Sequence, residues 1–175
     1  MVNGYRPSVA RTYSPEDARQ HFYHFYEGKC VLIFMAEGPA GIVEATGKGI
    51  EEAVEKFKDG IVKQVDSQLI ENWFNQLNWT QQTIDDEIQG MIDNDKHDGY
   101  TTEVSADWET ITKIYNNVIN RIRNEFPRAD DLTMLGGHSS HSYLNGTNMY
   151  FVYNYEINCC LLYTSPSPRD RSLSR

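Results

Sequence analysis

The sequence predicts an α+β fold in which an antiparallel sheet carries helices packed on one of its faces. Three observations lead to this prediction. Segments near both ends of the chain, at 8–13 and at 132–157, have the residue pattern of strands. Between them, apolar residues recur at helical spacing over 108–126, and Pro127 ends that pattern. A strand–helix–strand unit, a long helix and a terminal hairpin favour one sheet with helices on one side.

The first half of the chain alternates strands and helices. Residues 8–13 form a strand pattern, and Ser14-Pro15 followed by two acids predicts a helix that runs to about Tyr26. Residues 30–35 are consecutively apolar, which predicts a central strand covered on both faces. A helical apolar stripe then ends before Asp59, and residues 61–65 are compatible with a short strand. The stripe consists of Ile42, Ala45, Ile50, Ala53, Val54 and Phe57.

The second half predicts helices at 69–77 and 83–92, then the long helix, then a hairpin of 132–142 and 147–157. Asn145-Gly146 predicts a two-residue turn between the hairpin strands, since both turn positions need a positive φ. The aromatic anchors expected in the two shorter helices are Trp73, Phe74 and Trp79.

The hairpin also carries candidate functional residues. Residues two apart on a strand share a face, so His141 and Tyr143 are expected to point the same way. His138 is expected on the other face unless a bulge intervenes. A tyrosine with an imidazole two residues away is a candidate pair for moving protons. The structural alternative is that these strand residues only pack in the core.

Composition excludes several classes of function. The chain of 175 residues has 16 Lys+Arg against 25 Asp+Glu, and this acidic balance argues against nucleic-acid binding. No apolar run approaches the roughly 20 residues that span a bilayer, so no transmembrane segment is expected. Three cysteines without metal or redox spacing favour a reducing compartment, and a cytoplasmic location is expected.

Three motif-like segments do not meet the requirements of the sites that they resemble. The glycine-rich stretch 38–49 has the wrong spacing for a phosphate-binding loop. A calcium loop that begins at Asp93 needs glycine at its sixth position and glutamate at its twelfth, and these positions hold Asp98 and Val104. His21 and His24 have no evident third ligand, so they are interpreted as surface histidines. No metal site is predicted.

Four segments, in the same order, carry a resemblance to a known family. The pattern His138-x-x-His141-x-Tyr143-x-x-Gly, followed three residues later by Tyr150-Phe151, is one of them. Residues 6–13, 32–38 and 100–108 are the others. Together they resemble the C-terminal part of FAD-linked oxidases of the vanillyl-alcohol-oxidase type. The nearest branch is alkyl-dihydroxyacetone-phosphate synthase (alkylglycerone-phosphate synthase) with its bacterial relatives.

This resemblance implies a cap domain that shapes the substrate pocket over a flavin. FAD would be the cofactor, bound mainly by a domain missing from this chain, so the chain alone is expected to be inactive. By the same match, Tyr143 would be the general acid or base with help from His141. Arg11 would anchor a substrate carboxylate or phosphate, with His138 also at the substrate. From its sequence alone, an arginine on an alternating strand such as Arg11 is normally a solvent-facing residue, although its guanidinium fork suits bidentate anion capture.

Three functional hypotheses follow from these observations. The first is a transferase of the synthase type, acting in ether lipid biosynthesis on a phosphorylated ketone and a lipid chain. The second is an FAD-dependent dehydrogenase of a 2-hydroxy acid such as D-lactate or glycolate. The third is a non-enzymatic α+β binding module. The sequence is compatible with a homodimer. If the protein is a eukaryotic ether-lipid synthase, a peroxisomal location is the alternative to the cytoplasm.

The C-terminal tail differs from the rest of the chain. Residues 163–175 are rich in Ser, Pro and Arg, on an otherwise acidic chain. We therefore expect a partial cap domain at 1–159 and a tail at 160–175. The tail is either the translation of a sequencing adapter, and then not native, or a disordered segment. If the tail is not native, the true protein continues past Ile157.

Overall fold

The computed structural model describes residues 6–22, 28–60, 63–76, 80–93 and 97–156. Its strands form one antiparallel sheet in the order β2-β1-β4-β5-β3, so the predicted α+β class is confirmed. In chain order the elements are β1 (Val9–Tyr13), α1 (Pro15–Phe22), β2 (Val31–Met35), α2 (Ala40–Glu55), a 3-10 turn (Lys58–Gly60), α3 (Ser67–Gln76), α4 (Gln81–Asp93), β3 (His97–Asp107), α5 (Trp108–Glu125), a second 3-10 turn (Ala129–Asp131), β4 (Leu132–Ser139) and β5 (Gly146–Glu156).

Helix α5 is the predicted long helix, and its ends follow from capping. The side chain of Asp107 accepts a hydrogen bond of 2.8 Å from the backbone N–H of Thr110, which satisfies a free donor of the first turn. The helix ends before Pro127. Its apolar stripe packs on β3, β4 and β5, where Ile119, Leu135 and Phe151 form the buried centre of a hydrophobic cluster.

A second hydrophobic cluster lies at the other end of the sheet. Its buried members are Tyr13, Ala18, Phe22, Ile33 and Trp73, contributed by β1, α1, β2 and α3. Tyr13 is the register partner of His138, which is the partner of Tyr150. Register partners share a face and neighbours along a strand do not, so Tyr13 and Phe151 lie on opposite faces. The two clusters therefore cover opposite faces of the sheet.

The prediction that 30–35 form a central strand covered on both faces is wrong. β2 is an edge strand that pairs with β1, and Ile33 alone of its residues is fully buried. Leu32 is 55% exposed and Phe34 is 37% exposed on the other face. A run of apolar residues is compatible with either position, because composition does not say which neighbours a strand will have.

The predicted Asn-Gly turn is also wrong, although β4 and β5 do pair. β4 ends at Ser139, and residues 140–145 form a longer connection. Gly146 does not have a positive φ and begins β5 opposite Asp107 of β3. A Cβ at Gly146 would lie 2.1 Å from the carbonyl oxygen of Ala106. Glycine is needed there because two backbones approach closely, and not for a left-handed conformation.

Of the remaining predictions, some are confirmed, some are wrong and some concern residues outside the described ranges. Helices at α3 and α4 are confirmed, with Trp73 buried, whereas Trp79 lies outside the described residues. β3 was not predicted. In the stripe of the second helix, Ile42 and Phe57 are exposed, and residues 63–66 form no strand.

Residues 23–27, 61–62 and the whole tail 160–175 lie outside the described residues, so the predicted domain boundaries stay predictions. No helix among the described segments is long and apolar enough to cross a membrane.

Candidate functional site

A row of side chains crosses the sheet on the face opposite to α5. Tyr13, His138, Tyr150 and Glu103 are successive register partners on β1, β4, β5 and β3. The ring of His138 lies between two tyrosines, with its centre 5.3 Å from that of Tyr13 and 5.2 Å from that of Tyr150. Tyr13 is buried, His138 and Tyr150 are partly buried, and Glu103 is exposed. The row therefore leads from the hydrophobic core to the solvent.

Asp17 on α1 reaches this row because α1 lies directly against β4. β1 leaves the sheet at Ser14, whose backbone N–H donates to the carbonyl of Gly137 at 2.8 Å. The Ser14 hydroxyl oxygen in turn accepts hydrogen bonds from the backbone N–H groups of Gly137 and Asp17. A Cβ at Gly136 would lie 2.7 Å from that oxygen, so glycine permits the close approach. The first turn of α1 is thereby held beside β4.

The carboxylate of Asp17 contacts two imidazoles. Its Oδ2 lies 2.7 Å from Nδ1 of His138, within hydrogen-bond distance. Its Oδ1 lies 3.5 Å from Nε2 of His21, which is too long for a firm hydrogen bond. Burial alone would raise the pKa of Asp17, but His138 and His21 together lower it from 3.8 to about 2. Asp17 is therefore a buried carboxylate that stays ionised.

Arg11 lies at the buried end of the row. Its Nη1 donates to the hydroxyl of Tyr13 at 3.2 Å, and its Cζ lies 6.0 Å from the centre of the Trp73 ring. Burial raises the pKa of Tyr13 in spite of this neighbouring guanidinium. The charge of Arg11 also acts on the hydroxyl of Tyr150. Since a guanidinium has five N–H donors, the bond to Tyr13 leaves several for an anionic group.

Asn148 links the exposed end of the row to the loop 140–145. Its Nδ2 donates to Oε1 of Glu103 at 2.8 Å. Its Oδ1 accepts from the backbone N–H groups of Ser140 and His141, at 3.1 and 2.8 Å. Hydrogen bonds from Asn148 and Tyr150 lower the pKa of Glu103, and the same contact with Glu103 raises the pKa of Tyr150. The buried amide thus fixes where the loop leaves β4.

The four predicted site residues divide into two pairs. Arg11 and His138 share a face of the sheet and flank the same residue, Tyr13. The prediction that His141 and Tyr143 share a strand face is wrong, because both lie in the loop 140–145. Tyr143 is 60% exposed, and its backbone is held by a bond to Gly146 and by Nε1 of Trp108.

Sequence reasoning missed Asp17, Glu103, Asn148 and Tyr150 as members of the site. Tyr150 and Glu103 become recognisable once the strand register is known, since each is a direct partner along the row. Asp17 gave no comparable signal, because an acid in the first turn of a helix is common for electrostatic reasons.

The described residues do not form a metal site or a cradle for the diphosphate of FAD. Across the described ranges, no three His, Cys, Asp or Glu side chains converge on a metal-binding geometry. Gly41, Gly47 and Gly49 lie inside α2, so the glycine-rich stretch does not form a loop that could cradle phosphates. These residues do not fit the diphosphate of FAD.

The arrangement of Arg11, His138 and Tyr150 on one sheet face is suited to binding a small anionic molecule and holding a proton near it.

Comparisons with known proteins agree with the predicted resemblance. No family model matches the chain. The FAD-linked oxidoreductase YgcU of Escherichia coli O157:H7 is 59% identical over 160 residues, and that of strain K12 is 58% identical. These matches cover 91% of this chain and 32% of each relative, so the chain spans about a third of their length.

Solved structures give the same result for the fold. Two crystal forms of alkyldihydroxyacetonephosphate synthase superpose with TM-scores of 0.64 and 0.62, at 15% and 14% identity. Each match covers 90% of this chain and 32% of the synthase chain. The curated relatives confirm the predicted resemblance to FAD-linked oxidases, and the likeness to the synthase concerns the fold alone.

Proposed function

We propose that this chain is the substrate-side segment of an FAD-dependent oxidoreductase, and that the face carrying Arg11, His138 and Tyr150 lines the substrate pocket. One observation supports this most strongly: a guanidinium, an imidazole and a phenol are gathered on one sheet face in a chain 59% identical to an FAD-linked oxidoreductase. FAD, bound by parts of the full-length protein outside this chain, supplies the redox chemistry. The residues of this chain bind substrate and handle protons.

Arg11 is proposed to bind the carboxylate or phosphate of the substrate. Its bond to Tyr13 and its position over Trp73 fix the guanidinium, and this preorganisation favours binding of an anion. His138 is proposed to contact the same molecule. Tyr143 is proposed as general acid or base with His141 as its partner, carried by a loop that Asn148 anchors.

Two substrate classes share these requirements. Transfer of an alkyl chain onto a phosphorylated ketone corresponds to the name of the structural neighbours, and oxidation of a 2-hydroxy acid corresponds to the oxidoreductase names of the curated relatives. We favour oxidation, because those relatives share 59% and 58% of their aligned residues with this chain, and the synthases only 15% and 14%. A non-enzymatic module is the weaker hypothesis for the same reason. A cytoplasmic location stays a prediction.

The proposal is tested with the full-length oxidoreductase that contains this chain. Purified protein should hold FAD, and anaerobic addition of D-lactate or glycolate should bleach the flavin absorption. Arg11→Met should raise KM about tenfold to a hundredfold, since it removes a charge-assisted hydrogen bond, and should leave bound FAD unchanged. Arg121→Met is the matched control, because Arg121 pairs with Glu125 on the exposed surface of α5.

Two results would count against the proposal. Protein without FAD would remove the flavoenzyme assignment altogether. An unchanged KM in Arg11→Met would remove Arg11 from the substrate site. Formation of an ether lipid from a fatty alcohol and acyl-dihydroxyacetone phosphate, without net flavin reduction, would instead select the synthase reaction.

A further inference from the structure

Asp17 and His138 form a polar pair that joins α1 to β4. Asp17 is 1% exposed, and its backbone N–H is already bonded to the Ser14 hydroxyl. A buried charge is costly unless it is paired. The carboxylate's shorter contact, of 2.7 Å, is with His138, which lies 121 residues away in sequence, whereas His21 on the same helix lies at 3.5 Å. This placement indicates a role that depends on His138.

Asp17 determines which nitrogen of His138 carries the hydrogen. An ionised carboxylate can only accept hydrogen bonds, and the pKa of Asp17 near 2 keeps it ionised at neutral pH. Nδ1 of His138 must therefore be the donor, so in the neutral ring Nε2 is an acceptor. The rings of Tyr13 and Tyr150 on either side restrict rotation of the imidazole.

The imidazole of His138 is partly open to solvent. The side chain of His138 is 22% exposed, while its Nδ1 edge faces buried Asp17. Arg11 shares both aromatic neighbours of His138: it bonds to Tyr13, and its charge acts on Tyr150. Arg11 and His138 therefore contact the same residue, Tyr13, on one face of the sheet.

We propose that Asp17 is a positioning residue that holds His138 with Nδ1 protonated, so that Nε2 accepts a hydrogen bond from a substrate hydroxyl. This inference rests on the proposed function. The 2-hydroxy acid of the proposed function meets this requirement, because it has a hydroxyl group beside its anionic group. A ketone at the same position offers no hydrogen for Nε2 to accept. The pair thus selects the reduced, hydroxyl form of the substrate.

The first test reads the tautomer directly and does not depend on turnover. The full-length FAD-loaded protein is labelled with ¹⁵N-histidine, and His138→Gln assigns the His138 signals. We expect the wild-type ring to carry its hydrogen on Nδ1 at neutral pH. Asp17→Asn should shift it to Nε2, because the amide can donate to Nδ1. An Nδ1 without hydrogen or an Nε2 with hydrogen in the wild type, or no change in Asp17→Asn, would overturn the positioning role.

The second test is a double-mutant cycle in kcat/KM for D-lactate or glycolate. Asp17→Asn and His138→Gln should each lower kcat/KM on the order of a hundredfold, and the double variant should be no worse than His138→Gln. Additive losses would show that Asp17 acts independently of His138 and would overturn the positioning role. Asp59→Asn, on the exposed 3-10 turn, is the matched control and should leave kcat/KM unchanged.

The outcomes separate this inference from the proposed function. If the protein binds FAD but no 2-hydroxy acid reduces it, the substrate class proposed here is wrong, while the tautomer measurement still decides the role of Asp17. If the protein does not bind FAD, the flavoenzyme proposal itself is wrong.

Discussion

Asp17 should make the stability of this protein depend on pH in a defined acidic window. Its pKa is about 2 in the folded protein against an ordinary 3.8. Since one pKa unit corresponds to about 1.4 kcal/mol, the ionised carboxylate contributes about 2 kcal/mol to the free energy of unfolding. A group whose pKa is lowered on folding gives this stability above its unfolded pKa. The contribution is therefore complete above about pH 4 and is lost as the pH falls towards 2.

Urea unfolding of the wild-type chain and of Asp17→Asn at a series of pH values tests this expectation. Near neutral pH the variant should be less stable by about 2 kcal/mol, and the difference should shrink as the pH falls through the window. Asp59→Asn removes an exposed carboxylate and should follow the wild type throughout. A stability difference between wild type and Asp17→Asn that does not change with pH would refute the reasoning, because the pair would then act by packing alone.

Three further predictions concern stability. Phe151→Ala should lower the free energy of unfolding by about 3–5 kcal/mol in urea titrations, whereas Phe57→Ala at an exposed site should change it by less than about 0.5 kcal/mol. Gly146→Ala should cost about 1–3 kcal/mol, since its methyl group would meet the Ala106 carbonyl, and thermal unfolding would detect this. Asn148→Ala should speed amide exchange of the loop 140–145, because two of its N–H groups lose their acceptor; unchanged exchange would contradict the anchoring role.

The elements that could be predicted are those whose stability is encoded locally. Helix α5 has a capping aspartate, a continuous apolar stripe and a terminating proline, and all three lie within twenty residues. β3 was missed because its sequence, from His97 to Asp107, is largely polar and exposed. It is a strand because it pairs with β5 along its whole length, and that partner lies about fifty residues away.

The site was predictable only in part, for the same reason. Arg11 and His138 were identified through a sequence resemblance, which reports on residues and not on their partners. The contact of Asp17 with His138 depends on how α1 lies against β4, and no local pattern encodes that packing. His141 and Tyr143 were placed on a strand because Asn145-Gly146 favours a tight turn in isolation. Close pairing of Gly146 with β3 overrides this preference.

The row of side chains across the sheet also bears on the order in which the protein folds. β1 and α1 meet β4 only after a loop of more than a hundred residues has closed, as the 121-residue separation of Asp17 and His138 shows. Pairing of β4 with β5 closes a loop of only a few residues and loses less chain entropy. We therefore expect the hairpin and α5 to assemble early and α1 to dock late. During synthesis, the Tyr13 ring can pack with Phe22 and Trp73 early, but its contact with His138 cannot form until β4 has left the ribosome.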